Sequence, residues 1–303
     1  MLSSQEINKI EKKALEQRKI HDLGDESPIG IKIFGYIENI FDSYILLYPL
    51  RTKKIAGFTR KQGDVIQIYV NTSFNINYQA FAAAHEIYHL IGLKETSKDN
   101  FIVCNEHDIS ESIDDKSIDI EEVKANYFAA AFLMPKRVIE DRFSSIKGKK
   151  YNEEDIIIKI IELQYEYEIP FKTILKRLKE LKIICYDEYE KYNIYEKNIF
   201  QFHKMLDDEV IKHINELESP NMRKYHSLNI PKLAFDVYRN NIISVSKFES
   251  ILNKYGKNLD DFNIIKTDNI PISIDFSNFG TGDEEYDNDQ WSCTFWCKYL
   301  NKF

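Results

Sequence analysis

The chain has 303 residues, a net charge of −8, 43% hydrophobic and 30% charged residues. That balance builds a substantial soluble core, in one large domain or two ordinary ones, and argues against a broad nucleic-acid surface, which favours a basic sign. No apolar run is long enough to span a bilayer, no apolar leader opens the chain, and the four scattered cysteines read as reduced thiols, so we expect a cytoplasmic protein with no membrane partner.

Residues Ser4 to Ile20 carry Ile7, Ile10, Ala14 and Leu15 at amphipathic spacing, which predicts a helix. Ser27-Pro28 can start a second one through Ile31, Phe34, Ile37 and Ile40. Three strands follow: Ser43 to Tyr48, ending at Pro49, then Lys54 to Thr59 and Asp64 to Val70 around a turn at Arg60-Lys-Gln-Gly63. An apolar helix then covers Gln79 to Ile91 and ends near Gly92, a natural residue past a helix end. Lys94 to Lys116 is polar and irregular, a candidate flap. A second apolar helix, Ile120 to Leu133, stops before Pro135. Shorter helices run from Pro135, from Asn152, and over Phe171 to Leu181. At about Tyr186 a polar, Tyr-rich stretch marks a candidate boundary, so we expect a first domain of 1–185 and an α-rich second domain of 186–303. In the latter, helical spacing resumes through Phe200 to Leu217, and two short helices joined by a tight turn cover Leu233 to Leu252.

Chemistry concentrates in His85-Glu86-Ile87-Tyr88-His89. Residues four apart share a helix face, so both imidazoles can reach a single metal ion. This HExxH spacing is that of zinc-dependent peptidases, with the histidines as ligands and Glu86 as general base. Accidental surface placement is the bland alternative, and Phe81, Ala82, Ala84, Leu90 and Ile91 argue against it. Polar groups on a buried helix are costly unless they are used.

A catalytic zinc takes three protein ligands. Gly92 suits the extended HExxH-x-x-G-x-x-H pattern, but Glu95 stands where its third histidine would be. His107, in the polar loop, is the weaker remaining histidine candidate. On the helix Ile120 to Leu133, small Ala125, Ala129 and Ala130 allow close approach, so an acid in its first turn could reach the metal. Glu122 shares a face with Ala125, Asn126 and Ala129, whereas Glu121 is rotated by about 100°. We take Glu122 as the third ligand and Glu121 as a favourable first-turn charge.

The pairing of His85-Glu-Ile-Tyr-His89 with Glu122-Val-Lys-Ala-Asn-Tyr-Phe-Ala-Ala-Ala-Phe-Leu-Met-Pro135 resembles the ImmA/IrrE family of metallopeptidases, whose second helix reads E-x-x-A-N-x-F-A-A-x-x-L-M-P. The family's third ligand is the Glu four residues before that Asn, here Glu122. Lys124 departs from the family's habit of Glu at that position, which is not a ligand. The resemblance extends over the N-terminal helix, the strands with Asn71 and the helices to about Ile184, and more weakly over Ile230 to Leu252. It implies an α+β, zincin-like domain with a small antiparallel sheet, followed by helical segments. It further implies a Zn²⁺ endopeptidase acting on a helix-turn-helix transcriptional repressor or similar regulator, in a mobile-element, phage or stress-response setting.

Two other readings compete. The fold could serve as a non-proteolytic regulatory or toxin-antitoxin module, but the retained Glu86 favours the enzyme. The Lys- and Arg-rich helix Phe171 to Leu181 could contact nucleic acid, but we read it as a scaffold helix and do not expect direct nucleic-acid binding. The pair Cys293 and Cys297 reads as buried thiols beside Trp291 and Trp296. Residues 186–303 read as a sensing or substrate-recognition region. Tyr88, Tyr127 and His107 are available to stabilise an oxyanion, and none is assigned.

Overall fold

The computed structural model describes residues 2–41, 43–96, 98, 100–105, 119–144, 152–197, 199–222, 225–226, 230–254 and 257–264. His107, Cys293 and Cys297 lie outside them. Helix α1 (Ser4–Ile20) begins with a reciprocal cap: the Ser3 hydroxyl accepts from the Glu6 N–H while Glu6 accepts from the Ser3 N–H at 2.8 Å. A 3₁₀ turn over Gly30–Lys32 replaces the expected helix start at Pro28, and α2 (Ile33–Asn39) buries Ile33, Phe34 and Ile37.

The sheet is the first correction. Strands β1 (Tyr44–Tyr48), β2 (Ile55–Gln62), β3 (Val65–Asn71), β4 (Asn100–Asn105) and β5 (Tyr225–His226) are ordered β4-β2-β3-β1-β5. β2 and β3 form an antiparallel hairpin closed at Gly63, whose φ of +58° supplies the positive dihedral that a two-residue hairpin turn demands. β1, however, runs parallel to β3, so the sheet is mixed where a small antiparallel one was expected. Asn71, at the end of β3, explains the crossover. Fully buried, it accepts from the Leu50 N–H and donates to the carbonyls of Thr52 and Ile55, gathering the β1–β2 connection over the strand end. The second correction is β4, which lies in the stretch read as an irregular flap. It pairs antiparallel with β2 from Lys61↔Asn100 to Ile55↔Asn105, with a bulge between Ile55 and Gly57.

Helix α3 (Ile76–Lys94) packs on β2 and β3, and helix α4 (Ile120–Leu133) packs on α3 and α1. Both are apolar almost all round, the signature of a helix buried on several sides. α3 does not stop at Gly92: that glycine faces solvent, Leu93 is buried behind it, and the Lys61 ammonium caps the carbonyl of Leu93 at 2.9 Å. α4 opens on Asp119, whose carboxylate accepts from the Glu121 N–H, and ends at Pro135. Fully buried Arg18 ties α1 to the end of α4, donating to the carbonyls of Gly24, Ser27 and Phe132.

Helices α5 (Lys136–Ser144), α6 (Glu153–Tyr167, capped by Asn152) and α7 (Phe171–Glu180) follow. Arg177 on α7 is fully buried and pairs with Glu11 of α1 at 2.7 Å, so this member of the basic stripe belongs to the interior. Beyond them lie α8 (Tyr186–Asn193), α9 (Asp208–Leu217), α10 (Ile230–Arg239) and α11 (Val245–Lys254). The polar Tyr186 stretch is thus a helix, with Tyr189 and Tyr192 turned into the core. Chain contacts separate a unit of Met1–Lys257 from one of Asn258–Phe303, so position 185/186 falls inside the first unit. In the second, the described residues form a 3₁₀ turn at Asp260–Phe262, closed by reciprocal hydrogen bonds between Asn258 and Asp261. Among the described residues no helix is long and apolar enough to cross a membrane.

Candidate metal centre

α3 and α4 bring three side chains to one point. Glu122, in the first turn of α4, places Oε2 3.0 Å from His85 Nε2 and Oε1 3.2 Å from His89 Nε2, and the two Nε2 atoms are 3.1 Å apart. Three donors of the types zinc prefers converge within a space one ion can share. Both histidines and Glu122 are buried. Glu121 points elsewhere, accepting from the Tyr88 hydroxyl at 3.2 Å and from Lys124 at 2.8 Å. Tyr127 spends its hydroxyl on Glu11. Neither tyrosine is aimed at the histidines through that group.

His85 uses its second nitrogen as well, with Nδ1 2.9 Å from Asn126 Oδ1. An amide oxygen only accepts, so Nδ1 carries a proton and Nε2 is the nitrogen left to face Glu122 or a bound metal. Asn126 sits one turn after Glu122, so one face of α4 supplies both a donor and the group that orients another. Burial would raise the Glu122 carboxyl, but hydrogen bonds and charge from His85 and His89 outweigh it and hold it down at about 2.

Glu86 is fully buried between α3 and the sheet. The Thr59 hydroxyl donates to Oε2 at 2.6 Å, while Oε1 has no hydrogen-bond partner among the described residues. Burial pushes this carboxyl up to about 8, against the pull of His89 and Thr59. Gly57 makes the room: a Cβ there would lie 2.8 Å from the Tyr69 carbonyl oxygen and 2.9 Å from Glu86 Oε1. The inner face of β2 therefore reads Gly57, Thr59, Lys61, and each serves α3.

Gly57, Thr59 and the orienting contact of Asn126 went unread in the sequence. A lone Gly within a strand run marks a bulge or close approach, which would have found Gly57. Asn126 was marked by its helical spacing from Glu122. Thr59 carried no signal, because Thr is an ordinary strand residue. Cys104, on β4, is a further buried residue nearby: its sulphur, a His85 nitrogen and a Glu122 oxygen all lie within 4.8 Å of one another.

These features define a class: a mixed α/β domain with a buried His-Glu-His helix whose donors, completed by an acid from a neighbouring helix, can hold a metal. Residues 40–179 match the IrrE N-terminal-like domain family, Peptidase_M78. No curated protein shows significant similarity to the chain. Among solved structures it is similar to a Mycobacterium tuberculosis transcriptional regulator, at 19% identity and a TM-score of 0.35, over 57% of this chain and 46% of that one. The chain thus spans less than half the length of that protein.

Proposed function

We propose that the protein is a zinc-dependent endopeptidase of the cytoplasm that cleaves a protein substrate, a helix-turn-helix transcriptional repressor or similar regulator, in a mobile-element, phage or stress-response setting. The match of residues 40–179 to the IrrE N-terminal-like family supports the peptidase chemistry, and the regulator substrate follows from the ImmA/IrrE resemblance. The observation that carries the reading is Glu86, a buried carboxyl fixed through one oxygen, unpartnered at the other among the described residues, adjacent in sequence to His85 and within electrostatic reach of His89 and Glu122.

His85, His89 and Glu122 would hold the zinc, which when bound polarises the scissile carbonyl and acidifies water. Glu86 Oε1 takes the proton of the attacking water and returns it to the leaving amine. Thr59 keeps the carboxylate from turning away, and Asn126 holds His85 in the ligating tautomer. An extended substrate adding to the sheet requires a margin. β3 is paired on both sides, so the margin beside the donors is β4. Residues 186–303 serve recognition or sensing in this reading.

Glu86→Gln keeps the shape and removes the base. We expect unchanged zinc content and a loss of cleavage of about 10²–10⁴-fold, read as the rate at which one discrete product accumulates from the regulator. Cleavage at the wild-type rate would refute the assignment.

A further inference from the structure

We propose that Cys104 is a fourth metal donor, whose thiolate closes the coordination shell and keeps the centre latent; this rests on the zinc reading above. The register of the sheet carries the idea. Cys104 lies directly opposite Gly57 in the β2–β4 ladder, and directly opposed residues project to the same sheet face. That face is the one covered by α3, because Gly57 is where the Glu86 carboxylate approaches β2. Cys104 is accordingly fully buried, with its sulphur within 4.8 Å of ligand atoms of both His85 and Glu122.

Two donor sets therefore share His85 and Glu122, one completed by His89 and the other by Cys104. A second feature points into the same space. Glu86 Oε1, fully buried and without a hydrogen-bond partner among the described residues, lies against the Gly57 backbone on the strand that pairs with Cys104. A buried carboxyl oxygen in that condition is built to receive something at the sheet face that also carries Cys104.

The chemistry distinguishes two states. Catalytic zinc keeps one position for water, whereas four protein donors including a thiolate make the closed shell of a structural site. As the sulphur–metal bond forms, the thiol gives up its proton to solvent. Reopening returns a proton to the sulphur and frees the position for water, with no change of oxidation state. β4 is at once the sheet margin and the carrier of Cys104, so a substrate strand adding to β4 is placed to draw the sulphur away.

Zinc-edge X-ray absorption of the full-length protein tests this without reference to activity. We expect one sulphur neighbour at about 2.3 Å besides nitrogen and oxygen at about 2.0–2.2 Å. Cobalt(II) replacing zinc should show a thiolate charge-transfer band that Cys104→Ser abolishes and Cys185→Ser leaves in place. An all-nitrogen-and-oxygen shell in the wild type, with metal bound, overturns the Cys104 proposal and leaves the zinc reading standing. Failure of the wild type to take up either metal overturns both. Should Cys104→Ser not fold, the wild-type spectrum alone still decides.

Discussion

Glu86 concentrates the tension in this site. It sits fully buried and ionises only near pH 8 in the metal-free protein, far above the ordinary carboxylate range. A folded-state pKa raised above the unfolded one favours the folded state at low pH and costs stability as pH rises through the shifted value. Metal-free wild type should therefore lose stability between about pH 5 and pH 8 at up to about 1.4 kcal/mol per pH unit from this group. Glu86→Gln should flatten that slope, as urea denaturation of the two metal-free proteins across this range would measure. Parallel slopes would place the ionisation elsewhere. Gly57 gives a steric counterpart: Gly57→Ala should cost about 1–3 kcal/mol and displace the base, cutting cleavage while zinc content holds. Cleavage kept at the wild-type rate would mean that the backbone yields there and Glu86 keeps its place.

At the scale of elements, the site exists because two helices rich in small residues pack against each other. α3 carries Ala80 and Ala82 to Ala84, α4 carries Ala125 and Ala129 to Ala131, and all are buried. Both helices were legible because each is long, apolar and punctuated: Asp119 and Pro135 bracket α4, and the four-residue spacing of His85 and His89 declares their shared face. β4 was not legible. Asn100-Phe-Ile-Val-Cys-Asn105 is short, sits among polar residues, and becomes a strand only through its ladder to β2, a contact remote in sequence. The parallel placement of β1 depends likewise on Asn71, whose amide organises a connection that no local pattern reveals. Cys104 could be recognised as a neighbour of His85 only after β4 was placed. Among the helices, the fully buried Arg177 bonds α7 to α1 through Glu11. Arg177→Met leaves acids without their cation and should lower stability by about 3–5 kcal/mol in urea denaturation. A change under about 1 kcal/mol would show that the pair contributes little beyond its desolvation.

For the whole molecule, sheet, helices and centre form one dependency. Asn71 gathers the strands, the hairpin aims Gly57, Thr59 and Lys61 at α3, and α4 closes over His85 and His89 with Glu122. The segment that matches the IrrE N-terminal-like family, residues 40–179, spans this centre. Its central claim is that Glu122, and not its neighbour, completes the site. Zinc content of purified Glu122→Ala and Glu121→Ala proteins, compared with wild type by elemental analysis, tests it most directly. We predict equimolar zinc in wild type and Glu121→Ala, and a sharp loss in Glu122→Ala. Full zinc in Glu122→Ala, or its loss in Glu121→Ala, would contradict the account.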